Sequence, residues 1–282
     1  MSRKPRVCFL PVTMKLFWQL YPQLEAQTLE AMRIVRERLE EDFSLLPCPL
    51  AGNEEEARAA IRTLAGQSMD LLVIWENGYV ASGIPLAVIE ARKEVPCALL
   101  VTQRDRRVPA DMDYARYMDS TATTSAMELG GVLARKGIPY KTFVGHVHDT
   151  GVYEQLASYA RAAQAKSALQ TLCIGNIGYP YPGMLDICVD EAGVAELGAR
   201  IERVTLIEVD AALKAVRQED IDAFLAAVRA QCDASRVPPE DLNASARLYK
   251  ALEGIAAARK LNALCVHDYE CLSFVSRTVA DF

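Results

Sequence analysis

The sequence lacks the long apolar segments and the excess of basic residues that mark membrane and nucleic-acid-binding proteins. Its 282 residues include 31 Lys and Arg against 37 Asp and Glu, so the formal net charge is −6. This acidic balance excludes the basic face through which proteins displace counterions from nucleic acids. Apolar runs such as 71–75 are far shorter than the ~20 residues that span a bilayer, and Pro11 interrupts the apolar stretch near the N-terminus where a signal peptide would need continuity. We therefore expect a cytoplasmic protein that binds neither nucleic acid nor membrane.

The sequence also lacks any C-x-x-C pair, although it has eight cysteines. Zinc sites use closely spaced, paired ligands, so this absence argues against a zinc site. Four of the cysteines lie inside apolar, strand-like runs, where a thiol behaves as a small hydrophobic group: Cys8, Cys97, Cys173 and Cys265. We predict that the cysteines are reduced and structural.

Three common catalytic and nucleotide-binding motifs are missing as well. The chain has no G-x-G-x-x-G dinucleotide pattern, no G-x-x-x-x-G-K-[ST] phosphate loop and no G-x-S-x-G nucleophile elbow. A Ser-His-Asp arrangement cannot be read from sequence order. Candidate functional residues therefore depend on where the predicted fold places them.

Short apolar runs alternate with longer amphipathic stretches in the first part of the chain. The runs predict five strands, at 6–12, 43–48, 70–75, 95–101 and 140–146. The helical spacing of apolar residues predicts helices at 19–40, 54–66, 84–93, 124–136 and 152–166. A polar stretch rich in Arg and Asp, 103–113, predicts a loop. Apolar strands separated by helices indicate a parallel sheet that is covered on both faces.

The alternation begins again after Ser167, where we place a domain boundary. Strands are predicted at 169–178, 204–209 and 261–267, and helices at 191–200, 211–230 and 240–259. The predicted fold class is α/β, with two consecutive doubly wound, flavodoxin- or Rossmann-like parallel-sheet domains. The first domain covers 1–166 and the second covers 167–282.

Polar residues that follow the predicted strands are the candidates for a ligand site, because such sheets bind ligands beyond the carboxyl ends of their strands. In the first domain these candidates are Lys15, Glu76, Asn77, Gln103, Arg104, His146, His148 and Asp149. In the second domain they are the segment 175–184 and the cluster His267, Asp268 and Glu270.

Each of these candidates has a structural and a functional interpretation. The glycines of 176–184 suit either a ligand loop or an ordinary turn. His146 and His148 are either a metal-binding pair or hydrogen-bonded residues at a strand end. The carboxylates after His267 have the oxygen ligands that Mn²⁺ or Mg²⁺ prefers, or they are simply solvated.

Four segments resemble one enzyme family, in collinear order over essentially the whole chain. SAMELGGVLARKGIPYKTFVGH (125–146) is similar to the stretch of the L-arabinose and L-fucose isomerase family in which a helix ends in a basic pair and a strand closes with V-x-G-H. Similar segments are FLPVTMKLFWQLYPQL (9–24), CIGNIGYPYPGMLDICVD (173–190) and LNALCVHDYECL (261–272).

The resemblance implies an intramolecular oxidoreductase that interconverts an aldose and a ketose through an enediol, with Mn²⁺ polarising the sugar oxygens. By position, Glu270 would be a catalytic carboxylate and the first metal ligand, and Met184 would line the sugar pocket. Lys15 and Leu16 would lie on a loop that reaches the site of a neighbouring subunit in a homo-oligomer.

The sequence departs from the family in the remaining metal ligands. Family members continue into a third, β-rich domain that supplies a second acidic ligand, in a G-E-G-D pattern, and a metal-binding histidine; this sequence has no G-E-G-D. At 120–125 it reads STATTS where relatives carry N-H-G-x-H-G. One carboxylate holds Mn²⁺ weakly. We therefore expect a chain that lacks the family's C-terminal domain and is incomplete or inactive alone, so that enzymatic activity is uncertain, and a separate chain could complete the site.

Two other functions remain open on the sequence alone. In a non-catalytic sugar-binding or regulatory module, Glu76, Gln103, His146 and Asn176 would bind sugar hydroxyls by hydrogen bonds without chemistry. In an assembly protein, the two domains would serve oligomer contacts only. Sugar binding with and without metal distinguishes the three functions.

Overall fold

The computed structural model describes residues 3–267 and divides the chain into two compact units. Unit 1 extends to Ser167 and unit 2 begins at Ala168. Both units are built of parallel strands and helices, and each is described by itself below.

Unit 1 contains a five-stranded parallel sheet. Its strands are β1 (Arg6–Val12), β2 (Ser44–Leu46), β3 (Leu71–Glu76), β4 (Cys97–Gln103) and β5 (Tyr140–His146). Their order in the sheet is β2-β1-β3-β4-β5, and every neighbouring pair is parallel. This is the flavodoxin-like order, in which the direction of winding reverses between β1 and β3. The predicted α/β doubly wound fold class is confirmed.

Helices cover both faces of this sheet. They are α1 (Leu16–Leu20), α2 (Gln23–Asp42), α3 (Glu54–Leu64), α4 (Gly83–Ala91), α5 (Tyr114–Asp119), α6 (Ala122–Arg135) and α7 (Thr150–Leu169). One hydrophobic cluster lies between the sheet and helices α2 and α7, and it includes Val73 and Trp75 of β3. A second cluster lies between the sheet and helices α3, α4 and α6, and it includes Leu72 and Ile74. All six residues of β3 are buried, which explains why this strand has no polar alternation.

Local sequence signals set the ends of several helices. The Asn53 side chain accepts a hydrogen bond from the Glu56 N–H at 2.9 Å, so α3 begins with a side-chain cap, and three glutamates occupy its first turn. The single helix predicted at 19–40 is instead two helices, because Pro22 has no N–H to donate and disfavours helical backbone at Tyr21. Helix α5 follows the predicted loop and was not anticipated.

Unit 2 contains a three-stranded parallel sheet. Its strands are β6 (Cys173–Ile177), β7 (Arg200–Val204) and β8 (Ala263–Val266), in the order β7-β6-β8. Its helices are α8 (Glu191–Glu196), α9 (Leu206–Ala215), α10 (Gln218–Gln231) and α11 (Pro239–Arg259), with a short 3₁₀ turn at Leu185–Ile187. A hydrophobic cluster joins Ile177 and Val204 of the sheet to α9 and α11.

The strand predicted at 204–209 is wrong. Only Val204 belongs to a strand, the end of β7, and helix α9 begins at Leu206. Thr205 and Glu208 form a capping box: the Glu208 N–H donates to Thr205 Oγ1 at 3.2 Å, and the Thr205 N–H donates to Glu208 Oε2 at 2.8 Å. This reciprocal pair satisfies two backbone donors that a helix start leaves free, and it overrides the β-branched composition of the segment.

Within residues 3–267, no helix combines the length and the apolar character that crossing a bilayer demands.

Candidate functional site

The carboxyl ends of β3, β4 and β5 form one edge of the unit 1 sheet, and they bring several predicted site residues together. Glu76, Gln103 and His146 are the last residues of these three strands, and Lys15 follows β1. Gln103 lies opposite His146 in the strand register. We call this region the carboxyl edge of unit 1.

Glu76 is the most unusual residue of this edge, because its side chain is ionisable and yet fully buried. Its relative exposure is 0%, and among the described residues neither carboxyl oxygen has a hydrogen-bond partner. Its neighbours in the register are Val12 and Val101, both buried. Side chains alternate along a strand, so Glu76 lies on the same sheet face as Ile74, towards α3, α4 and α6.

Burial controls the protonation of Glu76. It raises the pKa of this carboxyl to about 7, and the negative charge of Glu128 adds to the shift. The Ser125 hydroxyl acts in the opposite direction, but it donates its proton to the Val80 carbonyl oxygen at 3.0 Å. Near neutral pH, Glu76 is therefore balanced between a neutral acid that can donate a hydrogen bond and a buried carboxylate.

A polar network ties β3 and β4 to helix α5. Asn77 Nδ2 donates to Asp119 Oδ1 at 3.1 Å, and Arg104 Nε donates to Asp119 Oδ2 at 2.8 Å. Burial raises the pKa of Asp119, although Arg104 and Asn77 act in the opposite direction. Arg104 also donates to Gln27 Oε1 at 2.8 Å, so its guanidinium fork is shared between α2 and α5.

His146 lies at the end of β5 with both ring nitrogens engaged. Its Nε2 lies 2.6 Å from the Arg104 carbonyl oxygen, and its Nδ1 accepts the His148 N–H at 3.1 Å. A carbonyl oxygen can only accept, so Nε2 carries the proton and Nδ1 has none. The ring orients the backbone of β4 and β5 here. A sugar or metal contact through either nitrogen would require one of these hydrogen bonds to break.

A polar cleft of about 320 Å³ opens beside this network. Its lining includes Gln23, Gln27, Arg104, Asp105, Asp113 and Arg116. Arg116 donates to both carboxyl oxygens of Asp105, at 2.7 and 2.6 Å. Amides, carboxylates and guanidinium groups that line one small cleft match the alternating donors and acceptors of a polyhydroxylated ligand.

Three tyrosines with tilted ring contacts lie on segments that adjoin this cleft in sequence, and the sequence reasoning missed them. The ring of Tyr114 lies 5.9 Å from that of Tyr21 and 6.0 Å from that of Tyr117. Tyr114 and Tyr117 are 62% and 52% exposed. One sequence signal could have predicted helix α5, which carries Tyr114 and Tyr117. Asp113 is a favourable N-cap residue, and its side chain accepts a hydrogen bond from the Arg116 N–H at 2.7 Å. Exposed aromatic faces beside polar groups are a common feature of ligand sites.

The predicted substrate residues Lys15 and Leu16 line a different cleft, of about 730 Å³, between the connections that follow β1, β2 and β3. Lys15 Nζ pairs with Glu56 Oε1, and Glu56 Oε2 accepts the Gly52 N–H at 2.7 Å. Leu16 is half exposed. This cleft lies at the point where the winding direction of the sheet reverses, the usual ligand position of the fold.

The remaining predicted residues belong to unit 2 or lie outside the described residues. Met184 is partly buried after the short turn at Gly183, and its N–H donates to the Tyr181 carbonyl oxygen at 3.1 Å. Asn176 Oδ1 is buried in β6 and lacks a hydrogen-bond partner among residues 3–267. Glu270, the predicted catalytic carboxylate and metal ligand, is not among the described residues.

The predicted Mn²⁺ ligand Glu270 lies outside the described residues, so Mn²⁺ binding stays a prediction. Within residues 3–267, no three His, Cys, Asp or Glu side chains come together as a divalent cation requires.

Sequence comparisons relate the chain to sugar isomerases. Residues 32–171 match the family model of the L-arabinose isomerase N-terminal domain. The L-arabinose isomerase of Geobacillus stearothermophilus is 29% identical over 182 residues, which are 61% of this chain and 34% of that protein. That of Arthrobacter sp. (strain FB24) is 26% identical over 152 residues, 54% of this chain and 29% of the relative.

A third relative shows the same partial coverage. The L-arabinose isomerase of Bifidobacterium adolescentis is 31% identical over 104 residues, 36% of this chain and 20% of that protein. The matches thus span about a third or less of each relative. The predicted resemblance to L-fucose isomerases stays a prediction. What the comparisons show is that this chain is similar to the L-arabinose isomerases, and that the similarity includes most of unit 1 and corresponds to their N-terminal domain.

Proposed function

We propose that this chain is a sugar-isomerase-family protein in which unit 1 binds a polyhydroxylated aldose or ketose at its carboxyl edge. The observation that carries the proposal is the match of residues 32–171 to the L-arabinose isomerase N-terminal domain, because these residues include β3, β4, β5 and their carboxyl ends. The relatives are named for L-arabinose, so an aldopentose is the first ligand to test.

The polar cleft supplies the recognition chemistry in this proposal. Gln27 and Arg104 present an amide and a guanidinium group to the sugar hydroxyls, and the face of Tyr114 packs against the C–H groups of the sugar. A sugar with a hydroxyl in a different position would leave one of these polar groups without a hydrogen-bond partner. Because an unpaired polar group in a cleft lowers the binding free energy, the site distinguishes sugars by their hydroxyl positions. His146 positions the backbone of Arg104 rather than touching the sugar.

In this proposal, Glu76 does not transfer the proton of aldose–ketose isomerisation. Glu76 is fully buried, so in this conformation a sugar cannot reach its oxygens. Glu270 remains our proposed catalytic carboxylate, on the resemblance of 261–272 alone. We also keep the proposals that Mn²⁺ is the cofactor, that the chain forms a homo-oligomer and that a further domain or a separate chain completes the active site.

Binding and turnover have to be measured separately on the full chain. We expect L-arabinose to raise the melting temperature with and without Mn²⁺, and Tyr114→Ala to abolish most of that increase. Ile207→Ala is the control, because Ile207 is 81% exposed on α9 of unit 2, outside every candidate ligand segment, and its loss should leave the increase unchanged. A panel of aldopentoses that produces no stabilisation in any condition would overturn the proposal.

Turnover is then assayed with Mn²⁺ as formation of the ketose from the aldose. Loss of turnover in Glu270→Ala supports the proposed catalytic carboxylate, and unchanged turnover in that variant refutes it. Sugar-dependent stabilisation without turnover at any Mn²⁺ concentration would instead identify the chain as a non-catalytic sugar-binding or regulatory module, the alternative that the polar cleft also supports.

A further inference from the structure

Two cysteines of unit 1 interact although they are far apart in the sequence. Cys8 lies in β1, and Cys48 follows the neighbouring strand β2 by two residues. The register sets Leu46 opposite Cys8. Leu46 and Cys48 both belong to the hydrophobic cluster that contains Cys8, so all three side chains lie on one face of the sheet. The two thiols are therefore close neighbours, and each shifts the pKa of the other.

The two thiols of this pair have different environments. Cys8 is 0% exposed, whereas Cys48 keeps 7% of its surface exposed near the edge of the sheet. Interaction with the Cys8 thiol lowers the pKa of Cys48, burial acts in the opposite direction, and the positive charge of Arg36 supports the lowering. Interaction with Cys48, together with burial, raises the pKa of Cys8. The thiolate is the reactive form of cysteine, so Cys48 is the residue that reacts first.

We propose that Cys8 and Cys48 form a redox-sensitive site in which a hydroperoxide oxidises Cys48 and Cys8 then closes a reversible disulfide. The Cys48 thiolate attacks one peroxide oxygen, the O–O bond breaks, and a sulfenic acid and a hydroxide ion result. The Cys8 sulfur then displaces the sulfenic oxygen, which leaves as water when it takes up the Cys8 proton. The two thiols together lose two electrons and two protons, and hydrogen peroxide is reduced to two water molecules.

The disulfide would act on the connection that lines the Lys15 cleft. Only a few residues separate Cys48 from Ala51, which bridges to Val12 of β1. The next residue, Gly52, packs so closely on Lys15 that an added Cβ would lie 2.6 Å from Lys15 Cγ. A covalent link between β1 and this connection restrains the cleft wall in oxidising conditions. The proposal does not depend on the sugar-binding function.

Peptide mapping of the full chain tests the linkage directly. Trypsin releases Cys8 in 7–15 and Cys48 in 39–58, and neither peptide contains another cysteine. After treatment with hydrogen peroxide and alkylation of the remaining thiols, we expect one species with the summed mass of both peptides less two hydrogen atoms. Dithiothreitol should convert it back to the separate peptides.

Variants then test the order of the two steps. In Cys8→Ser, a sulfenic acid should accumulate on Cys48, where dimedone traps it, and in Cys48→Ser neither the linkage nor the trapped species should form. Cys97→Ser is the matched control: Cys97 is 1% exposed in the same cluster, and burial raises its pKa to about 12, so its loss should leave the linkage unchanged.

Two results would overturn the proposal. One is recovery of both peptides in separately alkylated form at peroxide doses that already oxidise the exposed Cys188 and Cys232. The other is a linkage yield in Cys97→Ser as low as in Cys48→Ser, since the pair would then have no special reactivity.

Discussion

The sheet of unit 1 packs against a hydrophobic cluster on each face, whereas the cluster of the unit 2 sheet lies on the face towards α9 and α11. In β3 every residue is buried, but in β8 exposed and half-buried residues alternate. The second face of the unit 2 sheet carries half-buried or exposed side chains: Ile174, Asn176, Ile201, Arg203, Ala263 and Cys265. The comparison shows that the same parallel strand pairing is compatible with very different amounts of burial.

The two central strands also end in comparable polar residues with different properties. Glu76 ends β3 and Asn176 lies one residue before the end of β6, and both have side-chain oxygens without a partner among the described residues. Glu76 ionises, whereas Asn176 does not. Of these two residues, only Glu76 in unit 1 should therefore make stability depend on pH.

The largest expected difference between the units concerns two isoleucines. Ile74→Ala removes a fully buried side chain of β3 and should lower the free energy of unfolding by about 3–4 kcal/mol. Ile174→Ala changes a half-buried side chain of β6 and should lower the free energy of unfolding by about 1 kcal/mol. Urea unfolding measures both, with tryptophan fluorescence reporting on unit 1, because Trp18 and Trp75 both lie there. Equal losses would show that the second face of the unit 2 sheet is buried after all.

The next largest effect concerns the pH dependence of stability. Burial raises the pKa of Glu76 from 4.5 to about 7, so its stabilising contribution is complete below pH 4.5 and is lost as the pH rises to 7. The loss should amount to about 3 kcal/mol relative to Glu76→Gln, which stays neutral at every pH. Denaturation between pH 4.5 and pH 8 measures the difference. The exposed Glu40→Gln is the control and should follow the unsubstituted protein, and parallel profiles for Glu76→Gln and the unsubstituted protein would contradict the assignment.

The smallest effects concern one helix cap in each unit. Asn53→Ala and Thr205→Ala each remove a side-chain cap and should each cost about 1 kcal/mol. Only Asn53→Ala should shift the unfolding midpoint seen by tryptophan fluorescence, while Thr205→Ala should shift the far-ultraviolet circular dichroism alone. If Thr205→Ala also shifted the fluorescence midpoint, the two units would be unfolding as one.

Much of unit 1 could be predicted from the sequence because its strands are continuous apolar runs. The strand predicted at 70–75, for example, is β3 (Leu71–Glu76), in which every residue is buried. In unit 2 the pattern failed where charge and strand coincide: β7 reads R-I-E-R-V, with ion pairs from Arg203 to Glu191 and from Arg259 to Glu202. Its charged side chains hid the strand, and the apolar residues after it belong to α9.

The candidate site could be located from the sequence, but its contacts could not. The rule that ligands bind beyond the carboxyl ends of strands placed Glu76, Arg104 and His146 at one edge, as the structure does. The partners of His146 depend on how β4 and β5 pair and on the turn to His148. The ring contact of Tyr21 with Tyr114 joins the residue that follows α1 to a residue of the distant helix α5. Such contacts between distant segments leave no local pattern in a sequence.

The strand order β2-β1-β3-β4-β5 has a consequence for synthesis on the ribosome. β1 gains its partner β2 soon after it emerges, but its other edge waits for β3, which begins at Leu71. At roughly 5–20 residues per second, the apolar edge of β1 stays open for seconds, and an open edge is a template for pairing with another chain. A nascent chain that stalls before residue 71 should therefore be the species most prone to aggregate and most dependent on chaperones.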